Sequence, residues 1–129
     1  MTSQIRFLGV DEVVQLHEDQ IRRYGGASGL RDISLLQSAV AQPAATFEGR
    51  DLHPDLIDKA AAYAFHLCCD HPFVDDNKRV ALASALVFLD LNGVEVTDQR
   101  GAFYRLMVEV ASGLAGKPGI VEVFRRLRT

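Results

Sequence analysis

The sequence predicts an all-α protein, a helical bundle built around two central buried helices. Two observations carry that expectation. After Lys59 in a helix running from Pro54 to about Asp70, and again from Val80 to Leu91, apolar residues occupy every side of a helical cylinder instead of one stripe, the mark of helices enclosed by others. No strand pattern of any length repeats along the chain, so a βαβ arrangement lacks its raw material.

The elements follow in order. The first eight residues read as a short extended piece. From Asp11 the apolar positions Val13, Val14, Leu16 and Ile21 predict an amphipathic helix ending near Tyr24, where Gly25 and Gly26 supply a stop. Asp32 is a candidate N-cap for a short helix carrying Ile33, Leu35, Leu36, Ala39 and Val40, closed by Pro43. Residues 43–53 have no clean period and read as a loop or a small β-hairpin. Pro54 suits the first turn of the first buried helix. The second buried helix ends at the Asn92-Gly93 pair, the segment Val94-Glu95-Val96 makes a brief extended link, and two further helices follow at about 98–112 and 118–128.

Composition narrows the class. With 129 residues, 48% of them hydrophobic and 24% charged, the chain reads as one globular domain, 1–129, able to build a core without metal or disulfide staples. A formal net charge of −3 shows no broad basic field for nucleic acid, and a solvated last helical turn accounts for the basic RRLR near the C-terminus. Cys68 and Cys69 are adjacent within an apolar run, a pattern that predicts buried thiols in a reducing compartment. MTSQIRFLG lacks an apolar signal core and no run is long enough to span a bilayer, so the expectation is a cytoplasmic protein with no membrane partner.

The charge-rich insert HPFVDDNKR, residues 71–79, separates the two buried helices. Pro72 disfavours helix at His71, so the first buried helix ends there. Phe73 is the one large apolar side chain in the insert that can pin it to the core. Asp75, Asp76 and Asn77 all suit an N-cap, so the second buried helix begins within this triplet. Lys78 and Arg79 then fall in its first turn, where exposed amides already carry partial positive charge. Cations there make sense around a bound anion, and amides, lysine and arginine together make a phosphate site. An adjacent carboxylate could hold Mg²⁺, and His71 is of the residue type most often used as a general base. The bland alternative is that an aspartate caps the helix while the cations pair with carboxylates elsewhere.

HPFVDDNKR resembles the HxFx[D/E]xN[G/K]R motif of the Fic/Doc superfamily, with the NKR ending of the death-on-curing (Doc) branch. The likeness runs through RYGG at 23–26, GLRDxxLLxSAVAxP at 29–43 and ALxSALVFLxxNGV at 81–94. It implies a Fic-like helical fold and a toxin neutralised by a separate cognate antitoxin. Its activity would be transfer of a phosphoryl group from ATP to a translation elongation factor, arresting protein synthesis. On that resemblance His71 would take the proton of the target hydroxyl and Asp75 would hold Mg²⁺. Asn77, Lys78 and Arg79 would bind and neutralise the phosphates. Asp76 departs from the pattern, standing where relatives carry Gly or Ala; it could cap the helix, join the cofactor shell or repel the phosphate. Adenylylating relatives end in GNGRxxR. Lys78 and Leu82 replace the matching positions here, which sets AMP transfer second and a non-catalytic binding module third.

Other candidates weigh less. His66 is five residues from His71, not at the i, i+4 spacing of a helical zinc pair, and reads as a hydrogen-bonded core histidine. His17 and His53 read as surface residues. GLAGKPG at 113–119 lacks GxxxxGK[ST] and reads as an interhelical turn; GGASG at 25–29 reads as a helix stop. In proteins of this kind the segment at 43–53 is a flap that aligns the target peptide, with Thr46, Phe47 and Glu48 at its tip. The self-inhibitory [S/T]xxxE[G/N] pattern of the superfamily does not occur.

Overall fold

A computed structural model describes residues 4–129. Residues 1–3 of the expected extended start lie outside the described residues. The helices are α1 (Val10–Tyr24), α2 (Ile33–Ala41), α3 (Leu56–Cys69), α4 (Asn77–Leu91), α5 (Ala102–Ala111) and α6 (Lys117–Leu127). A 3₁₀ turn at Gln42–Ala44 leads into a two-stranded antiparallel hairpin, β1 (Thr46–Phe47) and β2 (Arg50–Asp51). The architecture is the all-α bundle expected, and none of the helices is long and apolar enough to cross a membrane among the described residues.

Helices α3 and α4 form the central pair, each packing more on the other than on any other element. Ile57, Ala60, Ala61, Tyr63, Ala64 and Leu67 of α3 are buried with Val80, Ala81, Ala85, Phe88 and Leu89 of α4. The alanine run lets the two backbones approach closely, while Tyr63 and Phe88 fill the remaining volume with ring centroids 5.1 Å apart. Helix α3 begins two residues after Pro54, because Asp55 makes the N-cap: its carboxylate accepts from the Asp58 amide at 2.8 Å. Asp32 caps α2 as expected, accepting from the Leu35 amide at 3.0 Å.

Helix α5 starts four residues later than its apolar pattern suggests. Arg100 and Gly101 both adopt left-handed backbone, and the Asp98 carboxylate accepts from the Phe103 amide across the resulting turn. The link at 94–96 is extended and pairs with the C-terminal segment through an isolated Val96–Arg128 bridge.

The Tyr63 hydroxyl accepts from the Leu8 amide at 2.8 Å and donates to the Leu8 carbonyl at 3.3 Å, tying the N-terminal segment to α3. Burial pushes the phenol up to about 12. Tyr63→Phe orphans a buried amide and carbonyl, so a loss of about 1–3 kcal/mol is expected by urea denaturation. A change within about 0.3 kcal/mol would show that the segment is not held this way.

Three polar positions correct the sequence reading, and a fourth, Lys59, adds to it. His17 and His53 are buried, not on the surface. Lys59 is also buried, donating to the Asp51 carboxylate at 3.1 Å and to the His53 and Pro54 carbonyls, which anchors the hairpin to α3. Cys68 is buried as expected, with its thiol pushed up to about 11 by burial, but Cys69 is exposed.

His66 is half-buried near the start of α6, where its ring lies 3.3 Å from the Lys117 ammonium. Burial first, and Lys117 second, lower its pKa from 6.5 to about 4. The unfolded chain therefore gains a proton near pH 6.5 that the folded chain refuses until about pH 4. The stability this contributes is complete above that window and is lost as pH falls through it. Discounted for the water that still reaches the ring, the loss is about 1–2 kcal/mol. His66→Gln should flatten the fall in urea midpoint between pH 7 and 4.5; an unchanged slope would assign the fall to other groups.

Candidate active site

The segment between α3 and α4 is held by local and distant contacts together. His71 has left-handed backbone (φ 49°), which ends α3 sharply before Pro72. Phe73 is buried and stacks on the His17 ring, centroids 3.9 Å apart and 6° from parallel. His17 Nε2 donates to the Asp75 carbonyl at 2.8 Å, so a histidine 58 residues away positions both the anchor and the acidic part of the loop. The Asn77 side chain turns back on the same loop, accepting from the Phe73 amide and donating to its carbonyl, both at 3.0 Å. Its amide is thus engaged in shaping the loop.

The two aspartates differ. Asp75 accepts from the Ala27 amide at 3.1 Å and from the Asp76 amide at 2.8 Å. Those bonds, that from Ala27 foremost, hold its carboxyl below the usual range, so it is ionised at neutral pH. Asp76 occupies the N-cap position of α4 with left-handed backbone (φ 62°), but its side chain caps nothing. It pairs instead with Arg79, Oδ2 to Nη1 3.0 Å, while the guanidinium also lies 5.0 Å from the Tyr24 ring centroid. The capping role considered for Asp76 is thereby corrected: the side chain is drawn along the helix to the nearest cation. Gly26 makes this packing possible, since a Cβ there would sit 2.9 Å from Asp76 Oδ2 and 3.0 Å from Asp75 Oδ2.

His71, Asp75, Asp76, Asn77, Lys78 and Arg79 line one groove of about 740 Å³. Its polar end has the free N-terminus of α4 with two cations in the first turn; among the described residues Lys78 forms no ion pair. Its other wall, which motif spacing could not reveal, comes from α5: Phe103, Tyr104, Met107 and Val108, with Leu82 of α4 between. Tyr104 is 74% exposed and Val108 40%, so the wall presents apolar surface to whatever enters. The only signal in the sequence was an apolar pair at i, i+4 on a helix about 30 residues from the loop.

Asp75 fits a magnesium role. Its carboxyl is ionised at neutral pH, and each oxygen retains a lone pair beyond its backbone bond; Mg²⁺ usually takes one or two carboxylates with phosphate oxygens. No group of three or more metal-ligating side chains forms among the described residues, and Asp75 is the carboxylate of the loop with lone pairs to offer a cation.

The protein belongs to a class of helical bundles in which a loop between two core helices brings a histidine, an ionised carboxylate and a cationic helix N-terminus, able to receive an anion, to one groove. Within that class, residues 7–89, well over half the chain, match the Fic/DOC family, and the chain belongs to it. It is 33% identical over 123 residues to Protein kinase doc of Escherichia phage P1, covering 95% of this chain and 96% of that one. It is 49% identical over 73 residues to Toxin Doc of Mycolicibacterium smegmatis, 57% of this chain. That second match spans 56%, a little over half, of the toxin's length.

Proposed function

We propose that this protein is a Doc-type toxin that transfers the γ-phosphoryl group of ATP to a hydroxyl of a translation elongation factor. The observation that carries the reading is the single groove joining His71 and Asp75 to the cations at the start of α4, with an apolar wall opposite. Such a groove suits a ligand with a polyanionic tail and a flat apolar base. The phage P1 relative named as a protein kinase supports the chemistry, and the relative named as a toxin supports the setting.

In this scheme the target hydroxyl oxygen attacks the γ-phosphorus, the bond to the β–γ bridging oxygen breaks, and ADP leaves. The hydroxyl proton passes to the His71 imidazole. Lys78, Arg79 and the α4 amides neutralise charge on the phosphates, and Asn77 keeps the loop in shape around them. Phosphoryl transfer needs positioning and charge stabilisation more than covalent help, which these residues supply. Mg²⁺, held by Asp75, would add charge neutralisation across the phosphates. Asp76 must yield Arg79 when phosphate arrives, since the two side chains are paired.

A separate antitoxin is the natural restraint. Between α1 and α4 a second groove, floored by Leu8, Leu16 and Val87 and rimmed by Glu12, Glu18 and Asp19 with Arg22 as the one cation, suits an amphipathic segment whose flanks are mainly basic. The deciding experiment incubates the purified protein with labelled ATP, Mg²⁺ and a translation-factor fraction. Transfer of the γ-label supports the kinase, transfer of the α-label would make it an AMP transferase, and neither would leave a binding module.

A further inference from the structure

We infer that Arg31, in the connection between α1 and α2, is a positioning residue that sets the backbone of His71 and with it the aim of the imidazole. The inference rests on the reading of His71 as the proton acceptor. Arg31 is exposed and lies outside the insert at 71–79, within the GLRD stretch at 29–32 that also carries the family likeness but no assigned role. Its Nε donates to the His71 carbonyl at 2.6 Å and its guanidinium Nη2 to the Asp70 carbonyl at 3.1 Å. One planar fork therefore spans the last carbonyl of the α3 cap and the carbonyl of the candidate base itself.

The surrounding backbone makes the same connection repeatedly. The Arg31 and Asp32 amides both donate to the Pro72 carbonyl, at 2.8 and 3.0 Å. The Val74 amide donates to the Gly29 carbonyl at 3.0 Å, and Leu30 pairs with Phe73 in an isolated antiparallel bridge. Residues 27–32 thus form a strap laid along residues 70–75, and Arg31 is the member whose side chain reaches His71. His71 needs such help. A residue other than glycine at φ 49° is held in a sparsely populated conformation, and such conformations persist where the surroundings over-determine them. A cation on the carbonyls at the end of α3 also meets the negative end of that helix. That bond would exist for stability alone; the contact to the His71 carbonyl is what ties Arg31 to the chemistry.

The two roles separate in kinetics. Lys78 and Arg79 are untouched by a change at Arg31, so nucleotide affinity should hold while turnover falls. Arg31→Ala is expected to lower kcat for γ-phosphoryl transfer about 10- to 100-fold, with Kd for a fluorescent ATP analogue within about 2-fold of the parent. Added guanidinium at about 10–30 mM, well below denaturing levels, should restore part of the lost turnover by refilling the vacated fork. Arg31→Lys, which can reach one carbonyl at a time, should fall between. A folded Arg31→Ala protein with parental kcat, or one losing affinity as much as turnover, overturns the inference. If the alanine variant does not fold, an unchanged kcat in Arg31→Lys overturns it instead. The unaltered protein and His71→Ala run alongside. If the former transfers no label, or the latter transfers as much as the parent, it is the kinase reading that fails. Hydrogen exchange at the amides of residues 71–75 still tests Arg31 then: faster exchange in Arg31→Ala is expected, and unchanged exchange sinks the positioning role.

Discussion

His71→Ala is expected to lower γ-phosphoryl transfer about 10²- to 10⁴-fold, the range a positioned general base contributes. The side chain is exposed and makes no hydrogen bond among the described residues, so its removal is not expected to open a cavity or orphan a buried group. The change in thermal midpoint should therefore stay small, and nucleotide should still bind, because the anion-binding groups lie on α4. This separation gives the test its force: a loss of turnover with folding and affinity preserved can be assigned to chemistry. In cells, expression of the variant without an antitoxin should permit growth where the parent arrests it. Growth arrest by His71→Ala equal to that by the parent would end the case for His71 as the base.

The second large effect concerns Arg79 and Asp76, whose expected outcomes have opposite signs. Arg79→Ala should weaken transfer about 10²- to 10³-fold, since one phosphate partner disappears and Asp76 is left facing the phosphates uncompensated. Asp76→Ala should instead tighten ATP binding, about 3- to 10-fold, by releasing Arg79 from its ion pair and removing a carboxylate from the anion site. Transfer of the γ-label reads the first, and equilibrium titration with a fluorescent ATP analogue reads the second. Weaker binding in Asp76→Ala only when Mg²⁺ is present would place Asp76 in the metal shell. Weaker binding with and without Mg²⁺ would mean that the ion pair holds Arg79 ready for phosphate.

Much of the fold was legible because its signals are local. The unstriped apolar runs of α3 and α4 announced burial on all sides, Asp32 acted as a cap, and the stretch read as a loop or small hairpin is a hairpin, but its turn is Glu48-Gly49, so Thr46 and Phe47 lie in the first strand and not at the tip as expected. The motif loop was placed correctly between the two core helices, and its six polar residues converge on one groove. Chain position alone dictated that much, since residues within nine positions of each other cannot lie far apart.

What failed locally failed for one reason. His17 and His53 carry no mark of burial in their neighbourhoods; His17 is buried because Phe73 and the Asp75 carbonyl are brought against it from the other side of the bundle. The start of α4 offered three capping residues, yet Asp76 turned to Arg79 and Asn77 to Phe73, because nearby cations and unpaired loop groups competed for them. The α5 wall and the grip of Arg31 on His71 also depend on contacts across tens of residues. The sequence by itself determined the helices, the order of the core and the chemical inventory of the site. Only the tertiary structure decided which of those groups are free to meet a ligand, because hydrogen bonds and charges are shared out among neighbours that folding, not chain order, brings together.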